Sequence, residues 1–286
     1  MIPRHVRRLL ATGAKTLLGV RREMLFIPYR YAGGIVPAGS RPAYPAAEKA
    51  FRRAGDSLRE MLVGMGQFRE TFEGFRDAAP PAPRWEQDWF PRLDGAAAYA
   101  FTRWLKPKRI VEVGSGHSTR FMARAVADGG LGTKIVAIDP APRADIAALD
   151  GIQVVPHPLQ EAAGGLFDDL GPGDFLFIDS SHLLMPGSDV DILLNRIVPA
   201  LPAGAILHVH DIFLPDDYPV EWDWRGYNEQ LGILPLVVSG DFEVLWSSRY
   251  AATRLARDVK ESAAGSLPLG VGALESSLWL RKRTAP

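Results

Sequence analysis

Cysteine is missing altogether from the 286 residues. Its absence removes disulfide frameworks, thiolate zinc sites, iron–sulfur ligation and a cysteine nucleophile. Net charge is missing too: 33 Lys+Arg stand against 33 Asp+Glu. A protein that holds nucleic acid through bulk positive charge is therefore not expected. No run approaches the roughly 18 apolar residues of a membrane span. Lys15 interrupts the one leader-like stretch, and no cleavage pattern follows it, so a cytoplasmic location is expected. What is present, 47% hydrophobic and 23% charged residues, is ordinary for a globular chain. Its length suits one large domain with an appendage.

The first thirty residues carry seven cations (Arg4, Arg7, Arg8, Lys15, Arg21, Arg22, Arg30) against one acid, Glu23. Ile2, Val6, Leu9, Leu10, Leu17 and Leu18 can form an apolar stripe on a helix there. Such a start reads as a solvated leading helix, with peripheral contact to an anionic membrane as the other reading. A loop rich in Gly and Pro (33–45) leads to a long helical pattern from Phe51 to Phe75, with apolar residues three and four apart. That face packs on its own domain or against a second subunit, which leaves room for a homo-oligomer. Pro80, Pro81 and Pro83 end it, and Trp85, Trp89 and Phe90 follow as an aromatic cluster expected to pack.

From about residue 96 the texture becomes alternating β runs and helical patterns. Strands are expected at Arg109–Val113, Lys134–Asp139, Ile152–His157, Asp174–Asp179, Ala205–Asp211, Phe242–Ser247 and Ser277–Arg281. A helix is expected over 188–201, with Ser188 and Asp191 as a capping box. The pattern predicts an α/β fold: a Rossmann-like, doubly wound, seven-stranded, mostly parallel sheet with an N-terminal helical extension. The domain boundaries follow, with 1–84 as basic and helical extension and 85–286 as main domain.

In such sheets ligands bind beyond the C-terminal ends of the strands. The first strand runs into Glu112-Val-Gly114-Ser115-Gly116-His-Ser118-Thr119, a turn that lets the backbone approach a ligand at a helix N-terminus. Thr119 stands where the dinucleotide fingerprint wants a third glycine. Asp139 ends the second strand, where an acid accepts both hydroxyls of a ribose and repels a 2′-phosphate. The other reading of Asp139 is a helix N-cap before Pro140.

Glu112-Val-Gly-Ser-Gly-His-Ser-Thr-Arg120 resembles motif I of class I S-adenosylmethionine-dependent methyltransferases. The resemblance spans roughly 85–282, including Phe175-Leu-Phe-Ile-Asp-Ser-Ser-His182 and His208-Val-His-Asp-Ile-Phe-Leu-Pro215. It implies that Gly114 and Gly116 meet the methionine part of the cofactor and Asp139 its ribose. Glu112, Ser115 and Ser118 complete the expected cofactor set. Ser118 departs from the third glycine of many members.

Asp179, His182, His210 and Asp211 converge at the ends of the fourth and fifth strands, and alternation puts His208 and His210 on one face. Methyl transfer to a hydroxyl needs in-line placement and proton removal. A histidine of ordinary pKa suits that removal, so His182 and His210 are the candidate bases. The family's catechol-type members suggest a second mechanism, a divalent cation held by Asp179 and Asp211 with His182 or His210 as nitrogen donors. Ile212 stands in place of the amide ligand of that group. The stretch 211–223 holds five acids and no Lys or Arg, with Tyr218 and Trp222 among them, and reads as a lid or substrate loop. The expected function is methylation of a small molecule at a hydroxyl oxygen. The alternatives are an NAD-dependent oxidoreductase and a non-catalytic binding module of the same fold.

Overall fold

The computed structural model describes every residue except 1, 2, 77, 143, 144, 147, 163, 285 and 286; Ile2 of the predicted stripe lies outside the described residues. Seven strands form one sheet: β1 (Arg109–Val113), β2 (Lys134–Ile138), β3 (Ile152–Val155), β4 (Phe175–Ile178), β5 (Ile206–Val209), β6 (Phe242–Ser247) and β7 (Leu278–Lys282). Their order is β3-β2-β1-β4-β5-β7-β6, with β1 to β5 parallel and β7 antiparallel to both its neighbours. The predicted sheet is therefore the one that forms. β4 and β5 are buried at every position, which explains their near-continuous apolar sequences.

The order reverses between β1 and β4, and their register sets Val113 beside Ile178. The loops after both strands thus open into one crevice at the topological switch point. A hydrogen bond from the Asp179 amide to the Val113 carbonyl (2.8 Å) holds the two strand ends together.

Helices cover the sheet. Arg92–Leu105 precedes β1 and His117–Gly129 follows it. Over 188–201, Ser188 caps the helix by accepting from the Asp191 amide, but Asp191 turns its own carboxylate to the Gly187 amide (2.8 Å). The capping box is therefore one-sided, and the helix widens to a π-turn at Leu193–Ile197.

The chain divides into two units, Met1–Pro42 with Tyr218–Gly226, and Ala43–Asp217 with Tyr227–Pro286. In the larger unit the expected long helix is broken into Pro45–Arg53, Gly55–Gly64 and Arg69–Glu73. Its apolar face is nevertheless continuous: Phe51, Leu58, Met65, Phe72 and Phe75 are buried. Phe72 and Phe75 meet Trp85 and Tyr99, so this face packs on its own sheet-bearing unit. Trp85 and Phe90 are buried as expected, whereas Trp89 is half exposed.

The smaller unit joins stretches of opposite charge. Its helix Arg4–Leu17 sets His5 against the Trp224 ring at 5.7 Å, and Arg41 approaches Asp223 at 3.7 Å. The acid stretch of 211–223 is therefore shared between units and partly neutralised, since Asp216 in the larger unit pairs with Arg249 and Arg254.

Candidate active site

Gly114 takes a left-handed φ of 80°, and a Cβ there would lie 1.8 Å from the Asp179 carbonyl oxygen. Only glycine lets the loop after β1 press against the end of β4. Behind the loop Glu112 is fully buried; Ser118 and Thr119 donate their hydroxyls to its two oxygens at 2.5 and 2.6 Å. Thr119 also accepts from the Gly116 amide (3.0 Å). Burial, beyond what the two hydroxyls offset, pushes the Glu112 carboxyl up to about 8. Glu112 and Ser118 thus face each other inside the loop and fix its shape.

A cavity of about 240 Å³ opens at the crevice, lined by Gly114, Ser115, Asp139, Leu159, Asp179 and Ser180 among others. Asp139 accepts from the Ser115 amide (2.7 Å) and hydroxyl (3.0 Å) on one oxygen, and from the Ala141 amide (2.7 Å) on the other. It caps a turn, since no helix follows it among the described residues. The Ser180 hydroxyl, also on the cavity, is buried without a hydrogen-bond partner. On the first turn of the helix after the loop, His117 Nδ1 and Arg120 Nε are likewise buried and unpartnered. Burial, with Arg120 and Arg84 nearby, pushes His117 down to about 4.

Beside the cavity four predicted residues close into a ring. His182 Nε2 lies 3.4 Å from Asp179 and 3.4 Å from Asp211, while His210 Nδ1 lies 3.5 Å from each. Two further acids back the rings: Glu229 accepts from His182 Nδ1 at 2.8 Å, and Asp94 lies 3.3 Å from His210 Nε2. The Tyr227 ring sits 4.7 Å from that of His182. His182 and Asp211 both hold left-handed φ angles (60° and 55°), a strained backbone for residues with a Cβ.

The electrostatics correct the expectation of a histidine of ordinary pKa. Burial pulls both imidazoles down, but the surrounding carboxylates outweigh it and hold each well above its usual value. Both rings therefore keep their proton at neutral pH, where they are unable to accept another. Burial would raise Asp179, yet the two imidazoles hold it well below the usual carboxylate range. His208, in contrast, is a core residue: burial and the neighbouring His210 push it down, it stacks on Phe177 at 3.6 Å, and its Nε2 meets the Ser277 hydroxyl.

Among the described residues no group of three or more His, Asp or Glu side chains is placed to hold a metal ion. The divalent cation of the second mechanism thus finds no support among the described residues.

Sequence reading missed Asp94, Tyr227 and Glu229. Asp94 left one signal, a lone acid in the alanine-rich Leu-Asp-Gly-Ala-Ala-Ala run, and it also accepts the Ser277 amide at 2.9 Å. Tyr227 and Glu229 stand in a polar stretch that offered no reason to single them out.

Residues 111–212, from β1 through the end of β5, match a family model described as a methyltransferase domain. This stretch is thus similar to a methyltransferase domain. The match bears out the expected family and enzyme class. No curated protein matches the chain. Similar solved structures include the S-adenosylhomocysteine-bound methyltransferase PaMTH1 of Podospora anserina, 19% identical over 91% of this chain and 100% of that one, TM-score 0.42. An O-methyltransferase from Bacillus cereus in complex with S-adenosylhomocysteine is 13% identical over 89% and 96%, TM-score 0.39. The methyltransferase domain holds Asp179, His182, His210 and Asp211, whereas Asp94, Tyr227 and Glu229 come from outside the matched stretch.

Proposed function

We propose that the chain transfers a methyl group from S-adenosylmethionine to a hydroxyl oxygen of a small acceptor, with Asp179 receiving the hydroxyl proton. One observation carries this reading: Asp179 lines the cavity and also meets both imidazoles of the ring.

The residues fit the cofactor. Gly114 leaves room for close backbone approach, Asp139 offers carboxylate oxygens to a ribose diol, and Ser180 has an unspent hydroxyl on the cavity. His117 and Arg120 offer unpartnered nitrogens to the carboxylate of its methionine part. Four carboxylates around two imidazoles leave the rim with excess negative charge, which suits a sulfonium and disfavours polyanionic acceptors. When bound, the cofactor supplies an electrophilic methyl group.

Asp179 and Asp211 are the accessible edge of the ring, with 17% and 11% of their side chains exposed against 2% and 5% for His182 and His210. The carboxylates therefore face the acceptor and the imidazoles stand behind them. Asp179 orients the hydroxyl by accepting its hydrogen bond; once the new oxygen–carbon bond has formed and the sulfur–carbon bond has broken, that oxygen is strongly acidic and gives its proton even to a carboxylate as weakly basic as Asp179. His182 and His210 keep Asp179 ionised beforehand. Tyr227 offers a flat face to an aromatic or sugar acceptor.

Calorimetric titration with S-adenosylhomocysteine and with NAD tests the cofactor, and labelled methyl transfer to a panel of phenols and sugars tests the acceptor class. The reading expects saturable binding of S-adenosylhomocysteine alone. Binding of NAD without S-adenosylhomocysteine would overturn it.

A further inference from the structure

Large apolar side chains at the surface are unevenly spread. Among the described residues, eleven of the nineteen that are exposed fall between Leu10 and Val36. The helix Arg4–Leu17 explains part of this. It buries Gly13 against Met24 and Phe26, while Leu10 and Leu17, one turn to either side of Gly13, and Leu18 at the helix end stay 61% to 78% exposed. Arg7, Arg8 and Lys15 flank that outward stripe at helical spacing. After the helix Phe26 and Ile27 are also more than half exposed.

The charge of this segment is one-sided. Its single acid, Glu23, is occupied by Lys15 at 3.3 Å and Arg21 at 3.5 Å. Among the described residues Arg4, Arg7, Arg8 and Arg22 have no carboxylate within ion-pair distance.

We propose that residues 4–36 form a docking surface for an anionic lipid bilayer. Cations beside an exposed apolar stripe on one helix match an interface that offers phosphate headgroups above acyl chains. Nucleic acid would use the arginines but leave Leu10, Leu17, Leu18 and Ile27 in water. A single exposed apolar residue needs no explanation; a contiguous cluster of this size does.

Co-sedimentation of the full chain with lipid vesicles tests the proposal, using phosphatidylcholine alone and phosphatidylcholine with one quarter phosphatidylglycerol. The chain is expected to bind the mixed vesicles, to release them in high salt, and to bind the neutral ones at least about tenfold more weakly. Two variants separate the contributions: Leu10→Ser/Leu17→Ser/Leu18→Ser and Arg4→Gln/Arg7→Gln/Arg8→Gln should each weaken binding about tenfold or more. Their circular dichroism and melting should match the parent, because the substituted side chains lie outside the core. Failure of the parent to bind anionic vesicles at low salt would overturn the proposal. So would vesicle binding unchanged in both variants, or binding to duplex DNA that the leucine variant retains in full while vesicle binding is absent.

Discussion

Nδ1 of His182 lies 2.8 Å from Oε2 of Glu229, and both side chains are buried. The amides of Asn228 and Glu229 in turn donate to the His182 carbonyl at 3.1 and 3.2 Å. The segment after the matched domain therefore grips His182 by side chain and backbone together. Glu229→Ala would leave a buried imidazolium with one acid fewer, at a cost of about 3 kcal/mol. Denaturant unfolding measures that loss. Glu229→Gln, which keeps a hydrogen-bond acceptor, should lose less stability while turnover still falls, because His182 then holds its proton less firmly.

In the proposed reaction Asp139 holds the ribose of the cofactor. Asp139→Ala removes charge-assisted bonds of about 1.5 to 3 kcal/mol, so affinity for S-adenosylhomocysteine should fall about ten- to a hundredfold in calorimetry. Arg120→Gln should weaken S-adenosylhomocysteine but spare methylthioadenosine, which lacks the amino-acid portion. Equal loss for both ligands would show that Arg120 does not meet the amino-acid portion.

Glu112 yields a prediction in stability rather than turnover. Its folded-state value of about 8 exceeds the ordinary 4.5, so between those limits the unfolded chain has released a proton that the folded chain retains. Stability linked to Glu112 is then present at low pH and is lost as pH rises from about 4.5 to about 8, levelling off above. Glu112→Gln, the neutral isostere, removes this slope. Melting temperatures of both proteins across that range, taken as differences, should converge at the acid end and separate towards pH 8.

The pH profile and the response to chelators distinguish the ring from the two mechanisms first expected. A free histidine base loses activity as pH falls through about 6.5. Asp179, held well below the usual carboxylate range by the two imidazoles, should keep kcat/KM flat from pH 8 to below 6. Activity should fall instead at high pH, where the imidazoles finally lose their protons. Chelator should leave turnover unchanged; loss of turnover restored by a divalent cation would assign Asp179 and Asp211 to a metal.

Much of this was legible in the residues. All seven strands fall within a residue or two of their expected limits, and the central ones read most plainly because parallel strands buried on both faces are near-continuous apolar runs. The glycine loop could be read because Gly114 answers a local steric demand. The charge state of the ring could not. It depends on Asp94 and Glu229, which stand 116 and 47 residues from the imidazoles they touch, and on a burial that no local pattern records. The break of the 51–75 pattern was hidden for the opposite reason: its apolar spacing persists across Gly55 and Gly64, so periodicity alone reads one helix.

In the proposed site two charged imidazoles stand behind an ionised Asp179. Nitrogen NMR of histidine-labelled protein, titrated from pH 5 to 9 in the presence of chelator, tests it directly. His182 and His210 should both carry imidazolium signals through pH 8, while His208 stays neutral across the range. A neutral His182 or His210 at pH 7 in the folded protein would contradict it.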